Sequence, residues 1–141
     1  MKNSKIGWTD HTWNPWQGCH KVSAGCKYCY IGPIMRRSKK EREPFKGPIR
    51  TKPANWREPA KWNRQAAREN RRRRVFTCSM SDFFHAKADR WRREAWEVIQ
   101  ACDRLDFLIL TKRPQRIAAH LPADWGNGYP NVWLGTTVES R

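Results

Sequence analysis

The sequence predicts an α/β fold built on a parallel sheet or barrel, and three observations carry that reading. Short apolar runs with β-branched or aromatic residues recur along the chain, helical segments separate them, and each run ends in a polar tip. Strands alternating with helices imply right-handed crossovers, with functional groups gathered at the carboxyl ends of the strands.

The opening, Ile6 through Trp16, is aromatic and β-favouring and is broken by Pro15, which fits a short strand running into the loop that carries the cysteines. Residues 31–57 hold four prolines, two glycines and many charges with little apolar period, and read as an irregular basic insertion. Pro59 opens a helix to about Asn70, because proline tolerates the first helical turn and Trp62, Ala66 and Ala67 share a face. Val75 to Met80 is a short apolar run followed by Ser81-Asp82, as expected of a buried second strand. Asp89 caps the next helix, where Trp91, Ala95, Val98, Ile99 and Cys102 recur as one buried stripe. Phe107–Thr111 makes a third strand, Pro114 opens a short helix through about His120, and Asn131–Val138 makes a fourth strand.

The polar tips are Cys19 onward, Ser79 to Asp82, Thr111 to Arg113, and Thr136 to Glu139. The sequence ends two residues after the fourth tip. A half-barrel would leave an open strand edge, so residues 1–141 are expected to form a single domain incomplete at its C-terminus.

At 141 residues with 38% hydrophobic residues and nine tryptophans, the chain can build one real core. It offers neither an apolar run long enough for a membrane helix nor an apolar signal segment, so the expected location is the cytoplasm, or a host cytoplasm if the gene is a phage's. The net charge of +16 points to a polyanionic partner, with nucleic acid the natural one. Arg36 to Arg74 holds 16 Lys and Arg against 4 acids, a surplus of +12, and includes the run Arg71, Arg72, Arg73 and Arg74 beside Trp56 and Trp62. That run reads as a nucleic-acid contact, with a solvated, charge-rich turn as the plainer alternative.

Five cysteines, three of them within residues 19–29, suit metal binding or catalysis better than a disulfide framework. Cys26 and Cys29 are spaced so that a tight turn can bring both sulfurs to one metal or to neighbouring irons. Cys19 reaches in from upstream, and Gly18 and Gly25 relieve the backbone just before the two arms. A closed structural site wants four ligands, whereas a three-cysteine cubane leaves one iron open to a substrate or cofactor. A structural zinc completed by His20 or His11 is the rival reading, with unliganded thiols behind it. Cys78 and Cys102 lie in apolar contexts and read as buried small hydrophobes.

Trp8-Thr9-Asp10, Trp13-Asn14-Pro15, Gly18-Cys19 and Gly25 to Tyr30 resemble a phage and bacterial protein family of unknown function related to radical S-adenosylmethionine (SAM) enzymes. Ser79 to His85, Leu110 to Pro114 and Leu134 to Glu139 are also similar to that family's blocks, so the resemblance covers nearly the whole chain. It implies a partial (β/α) barrel of radical SAM type, with about the first four β/α units present, and a [4Fe–4S] cluster on Cys19, Cys26 and Cys29. It further implies SAM as cofactor, with Tyr28 near the adenine and Ser79, Ser81 or Asp82 at the methionine end. An active enzyme of this kind would need an electron donor, and this chain would need its missing C-terminal half or a partner chain. Two departures stand out: Cys19 and Cys26 have six residues between them where the commonest radical SAM spacing has three, and the fifth and sixth strands of such barrels are missing.

The expected function is therefore a radical-SAM-like iron–sulfur protein cleaving SAM reductively on or near a nucleic acid, its reaction unspecified. The alternative is a non-enzymatic, zinc-stabilised nucleic-acid-binding module. A third reading is an inactive remnant of a longer enzyme. Asp82 and His85 could form an acid/base pair, but a strand-end Asp and a loop His are as often a cap and a surface residue. Lys112, Arg113 and Glu139 at strand exits are equally open to a functional or a merely solvated role.

Overall fold

The computed structural model describes residues 9–18 and 47–136. Cys19, Cys26, Cys29, Tyr28, His20 and Glu139, together with residues 31–46 of the basic insertion, lie outside the described residues.

The elements run β1 (His11–Trp13), β2 (Trp16–Gln17), β3 (Ile49–Arg50), α1 (Pro53–Glu69), β4 (Arg73–Thr77), α2 (Asp89–Ala101), β5 (Leu105–Thr111) and β6 (Val132–Thr136). The fold is mixed α/β. Strands β1, β4, β5 and β6 form one sheet in that order, and every neighbouring pair is parallel. A small antiparallel ladder of β2 with β3, which the sequence reading did not contain, stands apart from it. Thr51 ties that ladder to the end of β1, its hydroxyl donating to the carbonyls of Asn14 and Pro15.

Register sorts the sheet residues into two faces. His11, Val75, Phe107 and Val132 share one row, and Trp13, Thr77, Ile109 and Leu134 share the next row on the same face. This face meets both helices in one core containing Trp13, Trp56, Trp62, Val75, Ala95, Trp96, Ile99, Phe107 and Ile109. The opposite face carries Thr12, Phe76, Leu108 and Trp133 in register. Here Leu110 is 39% and Trp133 65% exposed, so Trp133 is not a core residue.

Helix α1 begins at Pro53, six residues before the expected start, so residues 49–57 are strand, turn and helix and not irregular chain. Pro59 thus stands inside the helix, where it cannot donate to the carbonyl four residues back. That carbonyl belongs to Asn55, and Trp13 of β1 donates its indole N–H to it at 2.9 Å. The proline gap is filled by a strand residue, which is why the apolar period could not reveal it. The other end matches expectation: Asn70 takes a left-handed conformation and closes the helix.

Helix α2 is preceded by a short 3-10 turn, Ala86–Ala88, so Asp89 is its first residue and not its cap. Its buried residues are Arg92, Ala95, Trp96 and Ile99, with Trp91 and Val98 only flanking the core. Ala95, Ile99 and Cys102 of the expected stripe are buried, and Arg92 and Trp96 widen it on one side. Where one helix was expected after Pro114 there are two 3-10 turns, Pro114–Arg116 and Ala118–His120. Among the described residues no helix is long and apolar enough to cross a membrane.

Candidate functional site

The carboxyl ends of β1 and β4 are stitched together by side chains that the sequence places 65 residues or so apart. Asn14 donates its amide to the Ser79 hydroxyl at 2.9 Å, and its carbonyl oxygen accepts from the Met80 N–H at 2.9 Å. Two residues past β2's start the link repeats: the Gly18 N–H donates to the Met80 carbonyl at 2.9 Å, and the Ser81 hydroxyl donates to the Gly18 carbonyl at 2.5 Å. Gly18 has φ of 101°, a conformation open to glycine and strained for other residues. The residue immediately before Cys19 is therefore held at the carboxyl end of β4 by both of its backbone polar groups.

Asp82 is buried at the same end, and its carboxylate has a full set of donors. Oδ1 accepts from the Phe84 N–H at 2.9 Å and the Thr111 hydroxyl at 2.6 Å; Oδ2 accepts from the Lys112 N–H and an Arg113 guanidinium nitrogen, both at 3.0 Å. Four donors fill the four lone-pair positions of a carboxylate. Asp82 thus fastens the tip of β4 to the tip of β5, and the indole N–H of Trp16 bonds its backbone carbonyl at 3.1 Å. Of the three residues expected at the methionine end of SAM, Ser79 and Ser81 flank the Gly18 anchor, while the Asp82 side chain is committed to the fold.

The loop after Asp82 is held by arginines that the sequence reading passed over. Arg92, buried on α2, donates to the carbonyls of Phe83 at 2.8 Å and His85 at 2.6 Å and pairs with Asp89 at 2.5 Å. Arg116 donates to the Phe84 carbonyl at 2.8 Å and shares Asp89 at 2.6 Å. Burial works to push the Asp89 carboxyl up, but the hydrogen bonds and charges of Arg92 and Arg116 outweigh it and hold it below its ordinary value. Burial pushes the Arg92 guanidinium down. The signal that could have found Arg92 is its spacing, since it falls between Ala88, Ala95, Trp96 and Ile99 on the inner face.

His85 is buried, and its Nδ1 accepts from the Lys87 N–H at 3.0 Å, so it acts as the cap of the 3-10 turn. His11 is buried on the helix-facing side of β1, its ring stacked on Trp62 with centroids 4.4 Å apart. Cys78 and Cys102 are buried and free of disulfides, and burial pushes the Cys102 thiol up to about 11. Both match the reading of small buried hydrophobes.

The arginine run lies at the other end of the sheet, around the start of β4. Arg71 pairs with Asp10 at 3.0 Å, Arg72 with Asp106 at 2.7 Å and Arg73 with Glu69 at 2.6 Å. Arg72 also donates to the carbonyls of Asp103 and Leu105, and the Arg74 backbone N–H donates to Asp10. Burial pushes the Asp10 carboxyl up, yet the Arg74 N–H and the neighbouring arginines more than offset it. Three of the four arginines are joined to acids of the fold, and the run lies at the opposite end of β4 from the Gly18 anchor.

No curated protein and no solved structure matches the chain. The family model described as a protein of unknown function, DUF5131, matches residues 3–141, and the chain belongs to that family.

Proposed function

We propose that this is a radical-SAM-like iron–sulfur protein in which Cys19, Cys26 and Cys29 hold a [4Fe–4S] cluster at the carboxyl end of a partial (β/α) barrel, acting on or near a nucleic acid. The observation that carries the proposal is the anchoring of Gly18. The cysteine segment leaves the described fold from a point bonded to Met80 and Ser81, at the strand ends where parallel α/β folds gather ligands. The partial barrel is part of the same proposal, supported by a strand order that runs β1, β4, β5, β6 without reversal and by two helices on one face.

The donor set suits the group, because three thiolates leave one iron open. The chemistry such a cluster supplies when bound is the one-electron reductive cleavage of SAM. This chain's own residues would do the rest: Ser79 would present its hydroxyl to the methionine end of SAM, Ser81 would hold the anchor through its bond to the Gly18 carbonyl, Tyr28 would pack near the adenine, and Asp82 and Asn14 would keep the strand tips in place. Protein reconstituted anaerobically with iron and sulfide, then reduced in the presence of SAM, is expected to release 5′-deoxyadenosine. Absence of that product from protein carrying a full cluster, with any completing chain supplied, would refute SAM cleavage.

The zinc-binding module is narrowed by one contact. His11 is buried against Trp62, which favours His20, the neighbour of Cys19 in sequence, over His11 as the fourth ligand of a zinc site on the three cysteines. His20→Ala would then release zinc, whereas iron content under the main proposal is indifferent to it.

A further inference from the structure

We infer that the outer face of α1 is a phosphate-binding surface for nucleic acid, formed by Arg57, Lys61, Arg64 and Arg68. The inference rests on the nucleic-acid part of the reading above and moves the contact from the Arg71–Arg74 run to this helix. All four residues are exposed. At 3.6 residues per turn they fall within an arc of about 60° and span about 16 Å of the axis. Trp56, Pro59, Trp62 and Ala66 are buried on the opposite side, so the core fixes the helix by one face and presents the cations on the other.

Two contrasts single the stripe out. None of its four cations has an ion-pair partner among the described residues, whereas Arg71, Arg72 and Arg73 are all paired. The acids of α1 lie to one side of the stripe, Glu58 about 60° around the helix from Lys61 and Glu69 about 80–100° from Lys61 and Arg68, and Glu69 is bonded to Arg73. Unpaired cations aligned along a rigid rod match a polyanion. Over about 16 Å of duplex axis each strand carries about five phosphates, so phosphates are not limiting for four charges.

The surface is not built for a bilayer. A membrane-surface helix needs large apolar side chains beside its basic face, and the exposed large hydrophobics among the described residues, Ile49, Leu110 and Trp133, are all outside α1. Lys61 and Arg68 also line a groove of about 420 Å³ with Ala54, Glu58, Trp62 and Gln65, within the size range of ligand sites. A sugar or base could rest there beside the bound phosphates.

The test is fluorescence anisotropy of the full chain with a labelled oligonucleotide, as duplex and as single strand, across a salt series. The quadruple variant Arg57→Gln, Lys61→Gln, Arg64→Gln, Arg68→Gln is compared with a control lacking the exposed cations Arg90, Arg93 and Arg104. Four phosphate contacts predict that, between about 50 and 200 mM salt, wild-type affinity falls about 150-fold further than the stripe variant's on duplex and about 50-fold further on single strand. The half-variants Arg57→Gln/Lys61→Gln and Arg64→Gln/Arg68→Gln should each show about half the slope change, which keeps the test valid if the quadruple variant folds poorly.

Equal weakening by stripe variant and control would overturn the inference and leave the nucleic-acid reading standing. No binding by wild type even at low salt would overturn both, without touching the iron–sulfur proposal, which iron content decides. Stripe-dependent binding to phosphatidylserine vesicles, with oligonucleotide binding unaffected, would overturn it in favour of a membrane surface.

Discussion

Asp82 accepts from Phe84, Thr111, Lys112 and Arg113, and removing it would take away the carboxylate that a buried guanidinium faces. Breaking one partner of a buried ion pair costs about 3–5 kcal/mol, so Asp82→Ala is expected to lose that much stability in urea denaturation. A loss under about 1 kcal/mol would mean the pair is not the fastener described. Asn14 is a smaller version of the same device: Asn14→Ala leaves the Met80 N–H without its acceptor and should cost about 1–3 kcal/mol. Under the proposed function it should also loosen the anchor of the cysteine segment, so that the variant retains less iron than wild type after the same reconstitution. Cys102 offers a chemical check on burial. With its thiol pushed up to about 11 and its side chain inside the core, it should resist iodoacetamide at pH 8 in native protein and react at once in urea, as mass spectrometry would record.

At the scale of elements, the Pro59 position shows a local rule answered by a distant residue. An interior proline is expected to destabilise a helix by about 3 kcal/mol relative to alanine. Here the Asn55 carbonyl that it leaves open already receives the Trp13 indole. Pro59→Ala should therefore return well under 3 kcal/mol in thermal or chemical denaturation, because the restored helical bond competes with Trp13 for one acceptor. The loop between β4 and α2 makes a prediction in pH. The Asp89 carboxyl lies below its ordinary value of 3.8, so the stability it contributes is present above that value and is lost as pH falls through its folded value. Asp89→Asn should lower stability at neutral pH and flatten its fall below about pH 4, as followed by denaturant titrations across pH. These two elements also show the limit of reading periodicity alone. The pattern of Trp62 and Ala66 announced α1, but its first turns carried prolines and charges. The stripe of α2 does run through Ala95, Ile99 and Cys102, but apolar periodicity gives no sign of Arg92, which satisfies carbonyls from inside the core.

For the whole molecule, the alternation of apolar runs with helical segments was enough to predict parallel strands, and the four runs do pair in chain order. The polar tips after β4 and β5 were legible too, since both runs ended in residues unsuited to a strand interior. What the sequence could not supply was which polar groups bind to each other. Asp82 looked available until Thr111 and Arg113, some thirty residues on, arrived beside it. The arginine run looked like the basic surface until Asp10, Asp106 and Glu69 arrived to pair with it. In both cases the partner came from another strand or helix, and pairing across elements leaves no local trace. The Gly18 anchor was half visible, as a glycine before a cysteine, while its partners Met80 and Ser81 were not.

The central claim is that the three cysteines beyond this anchor hold an iron–sulfur cluster. Iron, sulfide and zinc content, with an absorption spectrum, on anaerobically purified wild type and Cys26→Ala decides it most directly. A cubane on the three cysteines gives about four irons and four sulfides per chain, with broad absorbance near about 400 nm that the variant loses. One colourless zinc per chain, or iron that Cys26→Ala leaves in place, would contradict it.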